Sequence, residues 1–117
     1  MKITNVILCG LGALGLTYAN KLNDCCNLKV LADKCRISKY KTTPPKFNSK
    51  IIDLCYITPE EAWDADLIII STKANGLDSA INYIKNFVKE NTIIISLING
   101  ISSEDIIIVF SFTKFFI

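Results

Sequence analysis

Short, uniformly apolar runs alternate along this chain with longer stretches in which apolar residues recur every three or four positions. The apolar runs predict β-strands at residues 5–9, 28–32, 67–70 and 92–97. Strands of a parallel sheet are covered by helices on both faces, so they are apolar throughout rather than alternating with polar residues. The pattern therefore predicts an α/β fold, with a doubly wound parallel sheet in a single domain.

Two of the intervening stretches have the period of an amphipathic helix. Residues 13–23 form the first, with Leu14, Tyr18 and Leu22 on one stripe. The predicted buried face of the second comprises Leu77, Ala80, Ile81, Ile84, Phe87 and Val88. Both helices are predicted to cover the sheet.

The region between residues 33 and 66 has weaker patterns. Residues 34–49 are basic, and Pro44-Pro45 forbids a helix at that point, so we predict a short helix followed by a loop. Residues 50–56 are predicted to form an edge strand. Thr58-Pro59-Glu60-Glu61 has the pattern of a helix N-terminus, in which Thr58 is the N-cap and Glu61 closes a capping box.

The end of the chain has no regular period. Ser102 is a candidate N-cap for a helix beginning near Ser103, but residues 106–117 have neither an amphipathic pattern nor a C-terminal cap. The predicted organisation is a domain of residues 1–105 followed by a truncated or altered tail of residues 106–117.

A glycine motif, Gly10-x-Gly12-x-x-Gly15, joins the first predicted strand to the first predicted helix. A strand, a turn of this spacing and a helix form the dinucleotide-binding pattern of βαβ proteins. Gly10 allows the tight turn, Gly12 allows a pyrophosphate to approach the backbone, and Gly15 allows close contact between helix and sheet. The N–H groups of Ala13 and Leu14, at the positive end of the helix dipole, are predicted to face the phosphates.

Polar residues follow three further predicted strands: Asp33, Thr72-Lys73 and Asn99-Gly100. In an open parallel sheet the carboxyl ends of the strands share one edge, and ligands bind there. We therefore expect the glycine motif, Asp33, Lys73 and Asn99 to line one dinucleotide site. Each residue also has an ordinary structural explanation, since acids often end strands, lysines are often solvated and Asn-Gly is common in turns.

Composition narrows the possible functions. A net charge of +2 gives no reason to expect nucleic-acid binding, and the absence of His removes the commonest acid–base group and metal ligand, so no metal site is predicted. The five cysteines lack CxxC or metal-ligand spacing, which favours structural thiols in a reducing, cytoplasmic compartment. Glycines interrupt the apolar N-terminal stretch and argue against a signal peptide or a membrane-inserting helix.

Gly10-Leu-Gly-Ala-Leu-Gly15, Ser71-Thr-Lys73 and Leu97-Ile-Asn-Gly100 together resemble the N-terminal domain of the ketopantoate reductase (2-dehydropantoate 2-reductase) family. The likeness extends from about residue 3 to residue 105. It implies NADPH-dependent reduction of ketopantoate, a small 2-oxo acid, to pantoate in pantothenate biosynthesis. It also implies that the glycine motif holds the pyrophosphate of the cofactor.

The candidate catalytic residues are Lys73 and Asn99. The resemblance implies that both lie beside the nicotinamide ribose and the substrate. There Lys73 supplies positive charge to the carbonyl oxygen as it becomes an oxyanion, and Asn99 supplies an amide that donates or accepts hydrogen bonds. The candidate cofactor-binding residues are Gly10, Leu11, Gly12, Ala13, Leu14, Gly15, Asp33, Arg36, Thr72, Lys73 and Asn99.

The end of the second predicted strand bears on the choice between NADP and NAD. Asp33 stands where a Rossmann fold places the residue that binds the adenosine ribose, and its charge would repel the 2′-phosphate of NADP. Lys34 and Arg36 offset that charge, and an Arg guanidinium binds phosphate bidentately. We predict NADP(H) as the cofactor, with NAD as the alternative.

The resemblance also implies parts that these 117 residues do not contain. Family members carry a second, helical domain with the principal catalytic Lys and a substrate-binding Glu. The alternatives are therefore a lone NAD(P)-binding module without catalysis, a reductase of another 2-oxo acid, or a different Rossmann dehydrogenase acting on 3-hydroxy acids or sugar nucleotides. For the chain alone we expect weak cofactor binding, negligible turnover of ketopantoate, and self-association through the apolar surface that would meet the second domain.

Overall fold

The computed structural model describes residues 3–61, 63–72, 77–96 and 114–116 of the chain. The described strands are β1 (Asn5–Cys9), β2 (Asn27–Leu31), β3 (Lys46–Phe47), β4 (Lys50–Ile51), β5 (Cys55–Ile57), β6 (Leu67–Ile70), β7 (Ile93–Ser96) and β8 (Lys114–Phe116). The described helices are α1 (Ala13–Leu22), α2 (Lys34–Thr42) and α3 (Leu77–Ile84). Strands β3 and β4 form a separate hairpin, and the other described strands form one sheet.

All neighbouring strands of the sheet are parallel, and their spatial order is β5-β2-β1-β6-β7-β8. The chain starts in the middle of the sheet, adds β2 and β5 on one side, and then crosses to the other side of β1 with β6. At this crossing Val6 of β1 lies between Leu28 of β2 and Leu67 of β6. Doubly wound dinucleotide-binding domains have this strand order. The predicted Rossmann-like α/β fold is therefore confirmed.

The central strands are buried on both faces, as alternate residues of β1 demonstrate. Ile7 and Cys9 belong to one buried cluster, to which α3 contributes its apolar face. Val6 and Leu8 belong to the other cluster, to which α1 contributes Ala19. This burial from two sides explains why the strands are apolar throughout in the sequence.

Helix α1 begins at Ala13, as predicted, and both α1 and α3 end earlier than predicted. Helix α1 ends at Leu22, with Asn23 as its C-cap. Helix α3 ends at Ile84 and is followed by a turn in which the Phe87 N–H donates to the Ile84 carbonyl at 2.9 Å. The predicted face does pack against the core through Phe87 and Val88. The helix itself stops before them, because the turn lets the Phe87 carbonyl accept from the Ala65 N–H at 3.1 Å.

The helix predicted to start at Thr58 is absent from the described residues on both sides of position 62. The local capping interaction is nevertheless formed in part, since the Glu61 carboxylate accepts from the Thr58 N–H at 3.4 Å and from the Thr58 hydroxyl at 3.2 Å. Continuation into a helix is prevented by the next residues, because Ala65 and Asp66 are already hydrogen-bonded to Phe87 and Asn5 at the entry to β6. The described part of the segment before position 62 makes only a turn.

The predicted short helix and loop between residues 34 and 49 are partly right. Helix α2 is present, but the following loop contains the β3–β4 hairpin, in which Asn48 and Ser49 have φ angles of 52° and 67°. The edge strand predicted at residues 50–56 is right only at its end, since β5 pairs with β2 whereas β4 belongs to the hairpin.

At the other edge of the sheet, β8 pairs in parallel with β7. The predicted helix near Ser103 and the predicted domain boundary at residue 105 lie outside the described residues. Both stay predictions.

The Asp66 carboxylate joins three segments at the amino end of the sheet. One oxygen accepts from the backbone N–H groups of Asn5 at 2.9 Å and Thr4 at 3.0 Å, and the other pairs with the Lys89 ammonium at 2.9 Å. These contacts, led by the Asn5 hydrogen bond, lower the pKa of Asp66 to about 2. The ionised carboxylate therefore stabilises the start of β1 against the entry to β6.

We predict that Asp66→Asn lowers the free energy of unfolding by about 1–2 kcal/mol at neutral pH, because it removes a charge-assisted set of hydrogen bonds. The folded-state pKa is below the unfolded-state value, so this stabilisation is complete above about pH 4 and is lost as the pH falls toward 2. Urea unfolding of wild type and Asp66→Asn at neutral pH and near pH 2 measures this difference in stability. Asp24→Asn, which changes an exposed turn residue, is the control. A wild-type advantage that is the same at both pH values would contradict this account.

Candidate functional site

A cleft of about 730 Å³ opens at the carboxyl ends of β1, β2 and β6. The predicted site residues that line it are Gly10, Leu11, Gly12, Asp33, Arg36 and Thr72. They come from three strand ends that are distant in sequence, and the parallel sheet brings them to one edge. The cleft lies where the direction of sheet growth reverses, the position at which open α/β sheets bind ligands.

The three glycines of the turn differ in what surrounds them. Gly10 has a φ of +101°, and a Cβ there would lie 2.9 Å from the carbonyl carbon of Ser71 and from the Thr72 nitrogen. A Cβ at Gly15 would collide with the Gly10 carbonyl oxygen and would lie 2.6 Å from Ser71 Oγ. At Gly12 a Cβ would meet nothing within 4 Å. Folding therefore accounts for Gly10 and Gly15, whereas Gly12 keeps open the space beside the backbone.

Helix α1 begins directly behind this open space. Gly12 is its N-cap and supplies no capping side chain, and the first turn contains no acidic residue. The first hydrogen bond within the helix runs from the Leu16 N–H to the Gly12 carbonyl at 2.8 Å. The positive end of the helix dipole is thus left without an acidic side chain from its own first turn, so an anion fits there.

Ser71 connects the glycine turn to β6, a role that the sequence reasoning missed. Its N–H donates to the Cys9 carbonyl at 2.8 Å, and its hydroxyl lies 2.9 Å from the Gly10 carbonyl and 3.1 Å from that of Cys9. A small hydroxyl residue immediately after a buried strand was the available signal. Its partner at Gly10 became visible only once β6 was paired with β1.

The Thr72 hydroxyl is buried and has no hydrogen-bond partner among the described residues. Thr72 also lines the cleft. A buried hydroxyl without a partner is costly, because the water it loses on folding is not replaced. Its position in the cleft therefore fits a polar ligand that completes its hydrogen bonding.

Asp33 and Arg36 lie at the end of the cleft next to β2. Asp33 is the N-cap of α2, and its carboxylate accepts from the Arg36 N–H at 2.8 Å. The structure thus gives Asp33 a folding role that is independent of any ligand. Both side chains are exposed, so their charged groups remain accessible from the cleft.

Sequence reasoning also missed two tyrosines in the lining, Tyr40 and Tyr83. Tyr40 follows Arg36 by one helical turn, so its spacing from Asp33 and Arg36 was a usable signal. Tyr83 lies on α3, whose apolar face was assigned wholly to the core.

The two candidate catalytic residues, Lys73 and Asn99, lie outside the described residues. Ala13 and Leu14 occupy the first turn of α1, but their side chains also lie outside the description. The predicted proximity of Lys73 and Asn99 to the glycine turn stays a prediction.

Of the five cysteines, Cys9 is the buried one and fits a structural role. All five are free, and burial raises the pKa of Cys9, at the edge of the cleft, to about 12. A thiol with this pKa stays neutral and unreactive at physiological pH. In the part of the chain that the structure describes, no three His, Cys, Asp or Glu side chains are grouped to hold a metal ion. Nor does any helix there have the length and apolarity to cross a membrane.

Comparison with known proteins identifies a family and similar structures. A family model described as "Ketopantoate reductase PanE/ApbA" matches residues 6–109. Among solved structures, D-mandelate dehydrogenase with NADH and anilino(oxo)acetate is 27% identical, with a TM-score of 0.71. That match covers 87% of this chain and 36% of the dehydrogenase. No curated protein sequence matches significantly.

Two further structures share the fold. A protein assigned as 2-dehydropantoate 2-reductase from Enterococcus faecalis is 24% identical over 94% of this chain and 38% of its own, with a TM-score of 0.74. A dimeric ketopantoate reductase from Staphylococcus aureus is 24% identical over 86% of this chain and 38% of its own, with a TM-score of 0.59. The chain thus spans less than two fifths of the length of these structures.

The contrast between Gly12 and Gly15 gives a direct test of the site's geometry. We predict that Gly15→Ala lowers the free energy of unfolding by about 3 kcal/mol, because the new methyl group collides with backbone. Gly12→Ala meets no neighbour, so its cost stays below about 1 kcal/mol, the penalty of Ala at an N-cap. Urea unfolding of the two variants measures both values. Equal losses of stability would show that the glycine turn is not built as described.

Proposed function

The chain belongs to the ketopantoate reductase family, and we propose that it is the NADPH-binding part of a reductase that converts ketopantoate to pantoate. One observation carries the proposal: the cleft combines open space at Gly12 with a buried Thr72 hydroxyl that has no partner within the described parts of the chain. An anionic, polar ligand that lies close to the backbone uses both features. The pyrophosphate and ribose of a dinucleotide have this chemistry.

In the proposed complex the glycine turn and the first turn of α1 hold the pyrophosphate. Gly10 and Gly12 allow the phosphates to approach the backbone, and the N–H groups of Ala13 and Leu14 donate to them. Leu11 covers the cofactor from the turn, and Gly15 keeps α1 close to the sheet. Thr72 adds a hydroxyl from the end of β6.

The reaction we propose is reduction of the carbonyl group of a 2-oxo acid to a hydroxyl group. The bound reduced nicotinamide would supply the hydride, and the Lys73 ammonium the proton. Lys73 directly follows Thr72, and its ammonium stabilises the negative charge that develops on the carbonyl oxygen. Asn99 follows β7 and orients the substrate or the ribose through its amide. In this proposal both residues act in binding and in catalysis.

A second candidate substrate is another 2-oxo acid. The specific observation in its favour is the similarity to D-mandelate dehydrogenase, whose structure contains NADH and anilino(oxo)acetate. The same cleft and the same roles for Lys73 and Asn99 serve either substrate. Ketopantoate is preferred because the family model that matches is that of ketopantoate reductase.

We propose NADPH rather than NADH as the reductant. Arg36 is exposed at the cleft and its guanidinium suits a 2′-phosphate. Lys34, exposed in the first turn of α2, adds positive charge at the same end of the helix. The carboxylate of Asp33 opposes this choice, but one of its oxygens is engaged by the Arg36 N–H and its charge is offset by the start of α2.

Location and assembly complete the proposal. Five free cysteines are in keeping with a reducing, cytoplasmic compartment. Self-association through the surface that would meet a second domain is part of the proposal. The similar ketopantoate reductase from Staphylococcus aureus is described as dimeric.

For cofactor binding, we predict that Gly12→Ala and Thr72→Val each weaken NADPH binding at least about tenfold, equivalent to 1.4 kcal/mol. The first fills the space for the pyrophosphate, and the second removes a hydrogen-bonding group while keeping its shape. Isothermal titration calorimetry measures the affinities. Thr4→Val, at the opposite edge of the sheet, is the matched control. Wild-type affinity in both cleft variants would exclude this cleft as the binding site.

For cofactor choice, we predict that Arg36→Ala weakens NADPH binding about tenfold or more and leaves NADH binding unchanged, because only NADPH carries the 2′-phosphate. Lys41→Ala, which changes an exposed charge near the end of the same helix, is the control for a general electrostatic effect. Equal losses for the two cofactors would show that Arg36 does not read the phosphate. If wild type bound NADH more tightly than NADPH, we would conclude that Asp33 binds the free 2′-hydroxyl of the adenosine ribose.

A further inference from the structure

One face of α2 borders the cleft along its length. Asp33 at the N-cap, Arg36 and Tyr40 are spaced by three and four residues, so they lie on the same side of the helix. All three line the cleft. Ile37, between them in sequence, is 8% exposed and packs into the protein. The cleft therefore extends past Arg36 to an aromatic side chain.

The Tyr40 ring is supported from behind. Its centroid lies 5.4 Å from that of Tyr56 on β5, and the two rings are inclined by only 16°. Both tyrosines are half-buried. Stacking on a ring carried by the sheet restricts the rotamers of Tyr40 and presents a fixed, flat surface at the end of the cleft.

We propose that Tyr40, supported by Tyr56, forms the aromatic wall of a purine subsite and contacts the adenine base of the bound dinucleotide. This inference rests on the proposed function. The glycine turn is the expected place of the pyrophosphate and the end of β2 that of the adenosine ribose. The cleft continues from there past Arg36 to Tyr40, and we assign the base to this last part. Tyr40 is four residues further along the helix, a rise of about 6 Å, which is the scale of one base.

The chemistry of the subsite favours a base over another part of the cofactor. An aromatic ring offers a planar base a stacking or edge contact that does not depend on the identity of the base. The nicotinamide end is assigned to the side of Lys73 and Asn99, which follow β6 and β7 on the opposite side of β1. The two ends of the dinucleotide can therefore be tested with separate fragments.

The test compares two fragments by isothermal titration calorimetry: adenosine 2′,5′-bisphosphate and nicotinamide mononucleotide. We expect Tyr40→Leu to weaken binding of the adenosine fragment about tenfold and to leave that of the nicotinamide fragment unchanged. Tyr40→Phe keeps the ring and is expected to retain the wild-type affinity. Tyr18→Leu changes a tyrosine on α1 that is 37% exposed and outside the cleft lining, and serves as the matched control.

A second measurement covers the case in which Tyr40→Leu does not fold. Nuclear Overhauser effects between the adenine H2 or H8 protons and the Tyr40 ring protons are expected in the wild-type complex. Their absence from a saturated complex would overturn the proposal, as would unchanged affinity in Tyr40→Leu or equal losses for both fragments. If wild type bound NADPH and only the Tyr40 results failed, the purine subsite would fall and the proposed function would stand.

Discussion

The closeness of the glycine turn to the end of β6 is the constraint on which this structure depends. Cys9 and Ile70 are the last paired residues of β1 and β6, and Ser71 extends the pairing with hydrogen bonds to the carbonyls of Cys9 and Gly10. A side chain at Gly10 or Gly15 would occupy the volume of these groups. Backbone atoms and the Ser71 hydroxyl therefore fill the space between the glycine turn and β6. Only glycine fits at positions 10 and 15.

That junction determines where the functional groups lie. It positions the start of α1 over the carboxyl end of the sheet, where the helix dipole and the open space at Gly12 coincide. It also brings Thr72, one residue after Ser71, to the same cleft. The two buried clusters hold the sheet between α1 and α3, so the turns that line the cleft are anchored to buried strands.

The sequence was most informative where one local signal was sufficient. β1 was predicted to the residue, because an apolar run ends at a glycine turn. Prediction failed where a distant partner decides the outcome. Thr58 and Glu61 make the expected side-chain contact but no helix, because Ala65 and Asp66 are bound to other segments.

In the candidate site, too, residues marked by a local pattern were predicted, and residues defined by a distant partner were missed. The glycine spacing and Asp33 were recognisable as local patterns, yet the N-cap role of Asp33 also explains that residue without a ligand. Ser71 and Tyr40 were missed, because their partners, Gly10 and Tyr56, come from other strands or turns. Local spacing marks the two residues themselves, but their partners become known only with the strand order.

The central claim is that a dinucleotide binds at the carboxyl ends of β1, β2 and β6. Backbone amide chemical shifts of the isotope-labelled protein, followed by NMR during titration with NADPH, test it most directly. The account predicts saturable shifts concentrated at Gly10, Gly12, Ala13 and Thr72. Saturable shifts concentrated instead at the β3–β4 hairpin, or no saturation at millimolar NADPH, would contradict it.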